Sequence, residues 1–192
     1  VKVYMQTIVA PVVTTLLFFA IFILAFGSFR PDVYGVSYLV FLAPGLMIMS
    51  MAQNAFANTS SSMVISKVQG NIVDILMPPL SPMELYLGYI IGGVTRGLAV
   101  GIAALAVLSF FVPIHFHSVL NIVMFSVLGT WMMASMGLAG GIWSEKFDHI
   151  AAVTNFAVTP LTFLSGTFYA IEQLPPVWQK VAHYNPFFHM ID

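Results

Sequence analysis

The chain has 192 residues, of which 59% are hydrophobic and 7% are charged, with a net charge of −1 at pH 7. The surface of a soluble domain carries roughly 25–35% charged residues, so this composition predicts an integral membrane protein. The lack of cysteine excludes disulfides, thiolate metal sites and cysteine nucleophiles. Without a basic block, nucleic acid is not expected as a partner.

The first predicted span covers residues 4–29 and contains no charged side chain. It is longer than the apolar region of a signal peptide, which has about 7–15 residues, and no small-residue cleavage site is evident. Pro11 falls in its first turns, where a helix tolerates proline best. Residues 30–32 then form a polar turn. Because the chain begins almost inside this span, we expect a cytoplasmic segment to precede it in the whole protein.

The second predicted span lies at about residues 37–62, within an uncharged stretch that extends from position 33 to position 66. This stretch is longer than the ~20 residues that a helix needs to cross a membrane. The far half of the span is rich in amide and hydroxyl side chains, including Asn54 and Asn58. Such side chains usually join helices through hydrogen bonds and less often line a substrate path.

Residues 67–88 form a polar stretch, broken by prolines, between two long apolar regions. Apolar side chains recur in it at helical spacing, which predicts a short amphipathic helix at the membrane surface. Pro78 and Pro79 would end this helix. The stretch is either an ordinary loop or a docking element for a cytoplasmic partner, and we favour the docking element. Its apolar positions are Val68, Ile72, Ile75 and Leu76, and its polar positions are Lys67, Gln69, Asn71 and Asp74.

The third predicted span covers residues 82–111 and has a clear beginning. Ser81 is a favoured N-cap, Pro82 suits the first helical position, and Glu84 completes a capping box. Glycines recur in the span at a spacing of four residues, which lets helices approach closely and indicates packing rather than a particular function. They form two rows, Gly88 with Gly92, and Gly93 with Gly97 and Gly101.

Arg96 lies near the middle of the third span, where a charge costs at least ~2.5 kcal/mol on insertion scales. It should therefore face protein or water rather than lipid. Glu84 is three turns away on the same helix, so the partner must come from another segment, another subunit or backbone carbonyls. The polar candidates are the side chains of residues 54–62, which include Asn58, and Asn155 in the fifth span. A structural pairing is favoured over contact with a substrate.

The fourth predicted span covers residues 119–143 and is followed by a charged turn at residues 144–149. His115 and His117 precede it, but no further ligand candidates cluster near them, so a metal site is not expected.

The fifth predicted span covers residues 150–168 and contains Pro160. The tail after it has apolar residues on one helical face and aromatic side chains at the expected level of the lipid headgroups. This pattern predicts an interfacial or re-entrant helix on the outer side. The residues that carry it are Tyr169, Leu174, Val177, Trp178, Val181 and Tyr184.

Common catalytic motifs are absent from the sequence. It has no Gly-x-x-x-x-Gly-Lys-Ser/Thr run for ATP phosphates, no Gly-x-Ser-x-Gly and no His-Glu-x-x-His. Glu145 and Asp148 are three residues apart, but Lys146 lies between them in a short turn, which is more typical of a solvated loop than of an acid–base pair. We therefore predict that the chain is not an enzyme.

Four motifs together resemble the permease subunit of ABC-2 type transporters. They follow the family's order over nearly the whole chain, which makes the combination much more specific than any one motif. Arg96 with Gly97 is similar to a bacterial inner-membrane subgroup. The other three motifs are Phe41-Leu42-Ala43-Pro44-Gly45-Leu46, Leu76-Met77-Pro78-Pro79-Leu80-Ser81-Pro82, and Phe163-Leu164-Ser165-Gly166-Thr167-Phe168-Tyr169 with Leu174-Pro175 and Asn185-Pro186.

The resemblance implies an all-α polytopic protein of the bacterial cytoplasmic (inner) membrane. A whole family member has six spans, so residues 1–192 would be a single ABC-2 type transmembrane domain with five spans, truncated at both ends. The permease would pair with a second copy, as a homodimer or a related heterodimer, and with two ATPase subunits that hold ATP and Mg²⁺. No cofactor is expected in this chain. The exported substrate stays open among a lipid-linked glycan, a lipid, a peptide and an amphipathic drug.

The resemblance also implies a coupling helix that is pressed into each ATPase. Residues 67–76 are the best candidate, and residues 144–149 are a second, weaker contact. The residues assigned to coupling are Val68, Asn71, Ile72, Asp74, Ile75, Leu76, Glu145 and Lys146.

The competing class is a secondary transporter or channel driven by an ion gradient. Such proteins carry protons or sodium on carboxylates inside their spans. No Asp or Glu lies in the core of any predicted span. An ATP-driven exporter is therefore the favoured interpretation.

Overall fold

Four long helices form the body of the protein. The computed structural model describes residues 5–26, 35–113, 118–169, 171, 174–185 and 188. The four helices are long and apolar enough to cross a membrane, and a short helix lies between the second and the third. In chain order they are α1 (Ala10–Phe26, preceded by a π-helical turn at Met5–Val9), α2 (Tyr38–Val68), the short α3 (Ile72–Leu76), α4 (Pro82–Leu108) and α5 (Val119–Trp143).

The helical class and the positions of the first four spans confirm the prediction. The fourth span has the predicted limits, and α4 begins with the predicted capping box. Ser81 Oγ accepts a hydrogen bond from the Glu84 amide at 3.3 Å, and Glu84 Oε2 accepts one from the Ser81 amide at 2.7 Å. The polar turn at residues 30–32 and the two histidines at positions 115 and 117 lie outside the described residues.

The fifth predicted span is shorter and less regular than expected. It consists of α6 (Phe147–Val153), a π-helical turn (Thr154–Val158) and α7 (Thr159–Phe163). Pro160 has no N–H to donate to the carbonyl four residues earlier, and the turn before it is widened. Among the described residues, four helices have the length and composition of a membrane span, and this segment is not one of them. The predicted count of five spans is therefore not confirmed.

The central helix of the bundle is α2, which packs against both α4 and α5. The predicted second glycine row of α4 lies in this interface, because a Cβ atom on Gly97 would come within 3.0 Å of Met51 O. On α5, a Cβ atom on Gly137 would overlap Phe56 O. Small residues thus let the three helices approach closely. The first row of α4 is different, since Gly88 is exposed and has open space beside it.

Hydroxyl groups in the far half of α2 bond to backbone carbonyls within the candidate spans. Ser60 Oγ donates to Phe56 O of its own helix at 2.8 Å. Thr59 Oγ1 donates to Ala134 O at 2.8 Å and so joins α2 to α5. These bonds satisfy polar groups that would be costly if left unpaired in an apolar environment. A polar sequence can therefore continue as a membrane helix.

The amphipathic helix predicted at residues 67–76 is divided in the structure. Helix α2 continues to Val68, beyond the predicted end at residue 62, and a turn separates it from α3. Gly70 in that turn has a φ of 78°, a left-handed conformation that glycine adopts without a steric penalty. The prediction of one four-residue apolar face is therefore wrong. Val68 belongs to the last turn of α2, and the other three residues belong to α3.

The predicted tail helix is present as α8 (Pro176–His183). It follows a turn that is tied to the end of the bundle where α2 begins, since the Tyr38 hydroxyl donates to Phe168 O at 3.2 Å. Ala182 is buried, whereas Trp178 is exposed. An exposed aromatic side agrees with an interfacial helix, and the compartment that it faces stays a prediction.

Candidate functional site at the loop end of the bundle

The two segments that the sequence assigns to ATPase coupling lie at the same end of the bundle. The first comprises the end of α2 and α3, and the second is the turn between α5 and α6. Helix α2 contacts both α3 and α6. We call residues 67–84 and 144–149 together the loop end.

Lys67 connects these two segments. Its Nζ donates to Gly141 O at 2.9 Å and to Ser144 O at 3.0 Å, and also to Ile142 O. The last carbonyls of a helix have no partner within the helix and carry the negative end of its dipole. An ammonium there stabilises the helix by about 0.3–1 kcal/mol at an exposed site and by up to ~2 kcal/mol when partly buried. Lys67 thus caps α5, and its predicted position on the polar side of a surface helix is wrong.

The turn at residues 144–149 has a defined conformation. The Glu145 amide donates to Nδ1 of His149 at 3.4 Å. The His149 ring lies 5.8 Å from the Trp143 ring, with an angle of 41° between them. Glu145 and Lys146 are both exposed. The side chains of Glu145 and Lys146 are therefore available to a partner, while His149 holds the turn through its contacts with the Glu145 amide and the Trp143 ring.

Helix α3 presents a small apolar surface to the outside. Val73 is 59% exposed, Leu76 is 62% exposed and Met77 is 75% exposed. Asn71 and Asp74 are exposed beside them. Contiguous exposed apolar side chains are typical of a contact with another protein or a membrane.

The exposed face of α3 differs from the one that the sequence pattern indicated. Ile72 packs against the buried cluster between α2, α4 and α5, and Ile75 is half-buried. Val73 and Met77, which lie outside the predicted stripe, are exposed instead. Of the three predicted stripe residues in α3, Leu76 is exposed, whereas Ile72 and Ile75 are partly buried, since both sides of this short segment carry apolar residues.

Arg96 is half-buried in α4 and pairs with an amide on α2. Its Nη1 donates to Asn58 Oδ1 at 3.1 Å. Its Nε is buried without a hydrogen-bond partner among the described residues. Asn155, the other named candidate, is exposed on the π-helical turn of the fifth segment. Arg96 therefore bonds to the side-chain amide of Asn58 on α2, one of the candidates named from the sequence.

Two clefts open between the helices that form the candidate spans. A polar cleft of about 300 Å³ lies between α1 and α2, and an apolar cleft of about 350 Å³ lies between α2, α4 and α5. The described residues that line them are uncharged. The polar side chains of the first cleft are Gln6, Thr14, Thr15, Ser50, Gln53 and Asn54, and the second cleft is lined by Met47, Met51, Leu98, Ile102, Val119 and Val123, among others.

Sequence reasoning missed the structural role of two polar residues. Lys67 caps a helix that lies far from it along the chain, and no local signal shows this. Asn185 is buried, and its Nδ2 donates to Leu161 O at 2.6 Å, which anchors the tail to α7. The Asn-Pro motif at positions 185 and 186 marked this residue but not its contact. No cluster of metal-ligating side chains occurs in the part of the chain that the structure describes.

Four apolar helices, of which α2, α4 and α5 are joined by interhelical hydrogen bonds, define a multi-pass α-helical membrane protein. The family model described as ABC-2 type transporter matches residues 1–192. The chain belongs to the ABC-2 type transporter family, as its motifs predicted.

Several named proteins are similar to this chain. The inner membrane transport permease YadH of Escherichia coli (strain K12) is 42% identical over 99% of this chain and 74% of its own length. Nodulation protein J of Neorhizobium galegae is 25% identical over 86% of this chain and 64% of its own length. Nodulation protein J of Rhizobium leguminosarum bv. viciae is 27% identical over 82% and 61%, respectively.

The comparisons agree with three general features of the prediction. The chain is a multi-pass protein of the inner membrane. The E. coli relative is named a transport permease, which agrees with a transport subunit rather than an enzyme. Members of this family normally pair with an ATPase subunit.

Proposed function

We propose that this chain is the transmembrane subunit of an ATP-driven exporter, and that separate ATPase subunits carrying ATP and Mg²⁺ dock at its loop end. The observation that most supports this proposal is the position of the two assigned coupling segments. They are far apart in the sequence, yet Lys67 connects them directly. Exposed apolar residues of α3 lie in one of these segments and exposed charged residues lie in both.

The connections of the loop end give a physical route for coupling. Helix α3 joins the end of α2 to the start of α4 through short turns. Lys67 connects the same region to the end of α5. When ATP closes the two ATPase subunits on each other, a displacement of α3 would act on three spans together. ATP binding would then shift the population between inward-closed and open states of the permease.

The substrate that the membrane part favours is amphipathic. The polar cleft between α1 and α2 offers uncharged amide and hydroxyl groups, while the surrounding helix surfaces are apolar. Such a site suits an uncharged polar group carried on an apolar anchor. We therefore keep a lipid-linked glycan, a lipid and an amphipathic drug as the candidate substrates. We further propose that the exporter contains two permease copies, identical or related.

The structure gives no support to the competing ion-gradient mechanism. Among the described residues of the four spans, the only carboxylate is Glu84, which lies in the first turn of α4 and forms the capping box. Arg96 faces an amide rather than an acid. A carrier of protons or sodium normally uses carboxylates deep within its spans.

Site-specific cross-linking tests the proposed docking site. The chain contains no cysteine, so Asn71→Cys and Asp74→Cys each introduce a single reactive thiol at an exposed position. With a co-expressed ATPase subunit, both variants should form a cross-link through a photoreactive group attached to the thiol by a maleimide. Lys180→Cys, exposed on α8, is the control and should not. Normal assembly without a cross-link from position 71 or 74 would contradict the proposal.

A further inference from the structure

The loop end displays an excess of negative charge. Asp74, Glu84, Glu145 and Asp148 are exposed there, and Lys146 is the exposed cation among the described residues of this end. Lys67 also lies here, but its ammonium group is directed at the end of α5, where it bonds to three carbonyls. The exposed surface of the loop end is therefore negatively charged, although its two segments contain two lysines.

An apolar patch lies at the same end of the bundle as these acidic residues. Asp74 is on α3 itself, next to Val73 and close to Leu76, both of which are more than half exposed. Glu145 and Asp148 come from the other segment, which Lys67 joins to the end of α2. The surface thus combines an apolar patch with carboxylates from two segments, the arrangement typical of a protein interface with a polar rim.

We propose that the loop end is one composite docking surface, and that its occupant is a protein face that presents Lys or Arg side chains around an apolar pocket. This inference rests on the proposed function, in which the occupant is the ATPase subunit. The negative charge of the surface favours a basic protein face over the lipid surface of the membrane. The cytoplasmic leaflet of a membrane carries a negative surface potential, which would repel an acidic surface rather than attract it.

Charge variants of the permease test this inference on the complex itself. The permease is placed in nanodiscs of neutral lipid, and its affinity for the purified ATPase subunit is measured from ~50 to ~500 mM salt, over which the Debye length shortens severalfold. Asp74→Lys and Glu145→Lys should each weaken binding about tenfold at low salt, because they place a like charge against the basic rim. The difference should shrink at high salt. Lys146→Glu is the matched control of opposite sign and should bind more tightly than the wild type.

The outcomes separate this inference from the proposed function. If the wild-type permease binds the ATPase and the three variants bind equally well, the composite acidic surface is wrong and the docking function is retained. Tighter binding by Asp74→Lys would assign an acidic partner face and would also overturn the inference. Binding of the wild-type nanodiscs to vesicles that contain anionic lipid, with no binding to the ATPase at any salt concentration, would overturn both proposals.

Discussion

Arg96 illustrates how a charge is accommodated inside the bundle. Its contact with Asn58 is made between α4 and α2, which supplies a strong acceptor without introducing a second charge. A guanidinium can donate in two directions from a planar group, whereas a lysine ammonium cannot reproduce this geometry. We interpret Arg96 primarily as a link between two helices.

We expect Arg96→Met and Asn58→Leu each to lower the apparent melting temperature of the purified permease, because each removes one partner of the interhelical bond. Bonds of this kind contribute about 0.5–2 kcal/mol in membrane proteins. The double variant should therefore lose less than the sum of the two single losses, by about that amount. Arg96→Lys should restore part of the loss.

The competing interpretation of Arg96 is contact with substrate. In that case Arg96→Met would assemble with normal thermal stability and lose transport, and the two substitutions would show no coupling in stability. Thermal denaturation followed by size-exclusion chromatography distinguishes these results. Normal stability together with normal transport would exclude both roles.

At the scale of helices, close packing depends on glycines that face α2. Gly137→Ala should destabilise the protein by about 1–3 kcal/mol, the usual cost of overpacking, since its Cβ would overlap Phe56 O and Thr59 Oγ1. Gly88→Ala is the matched control, because it has open space and an exposed position. It should be neutral or stabilising by up to ~1 kcal/mol through helix propensity. Equal melting temperatures for the two variants would contradict the packing described here.

The connection made by Lys67 can be measured on the permease alone. Spin labels at Val73→Cys and Glu145→Cys report the distance between the two segments of the loop end, and both positions are exposed. Lys67→Met removes the ammonium group but retains much of the side-chain volume, so the distance distribution should broaden. Lys146→Met, which removes an exposed lysine of the same turn, should leave it unchanged. A narrow distribution in Lys67→Met would show that the cap does not connect the segments.

The sequence was sufficient to predict the elements whose signals are local. Capping at Ser81, the limits of the fourth span and the family motifs depend on neighbouring residues, and all agree with the structure or the comparisons. The predicted stripe at residues 67–76 was wrong because its periodicity ran through Gly70, whose φ of 78° ends one helix before the next begins. Lys67 was misplaced because its partners lie more than 70 residues away along the chain.

The fifth predicted span shows a different reason for failure. Its composition is apolar, but Pro160 and the π-helical turn before it interrupt the regular hydrogen bonding. Hydropathy measures the composition of a segment and not the continuity of its helix. The partner of Arg96 could be narrowed to a set of candidates from the sequence, because a buried charge requires a partner. The choice of Asn58 among them needed the tertiary structure.

At the scale of the whole molecule, the two ends of the bundle carry different surfaces, as the proposed coupling to an ATPase requires. The loop end carries acidic and exposed apolar residues, whereas α8 and the turn tied to the start of α2 form the opposite end. Between them, the three helices α2, α4 and α5 pack tightly through glycines. Closely packed helices transmit a displacement without being deformed, because a dense core is not easily compressed.

The most direct measurement is ATP hydrolysis by the reconstituted complex of permease and ATPase subunit. Leu76→Asp places a charge in the exposed apolar patch of α3 and should lower permease-dependent ATP hydrolysis about tenfold or more, since interface residues of this kind can cost ~2 kcal/mol or more when disrupted. Val177→Asp introduces the same charge at a similarly exposed apolar position on α8 and should leave ATP hydrolysis near the wild-type rate. Wild-type hydrolysis by Leu76→Asp, with the complex intact, would contradict docking through α3.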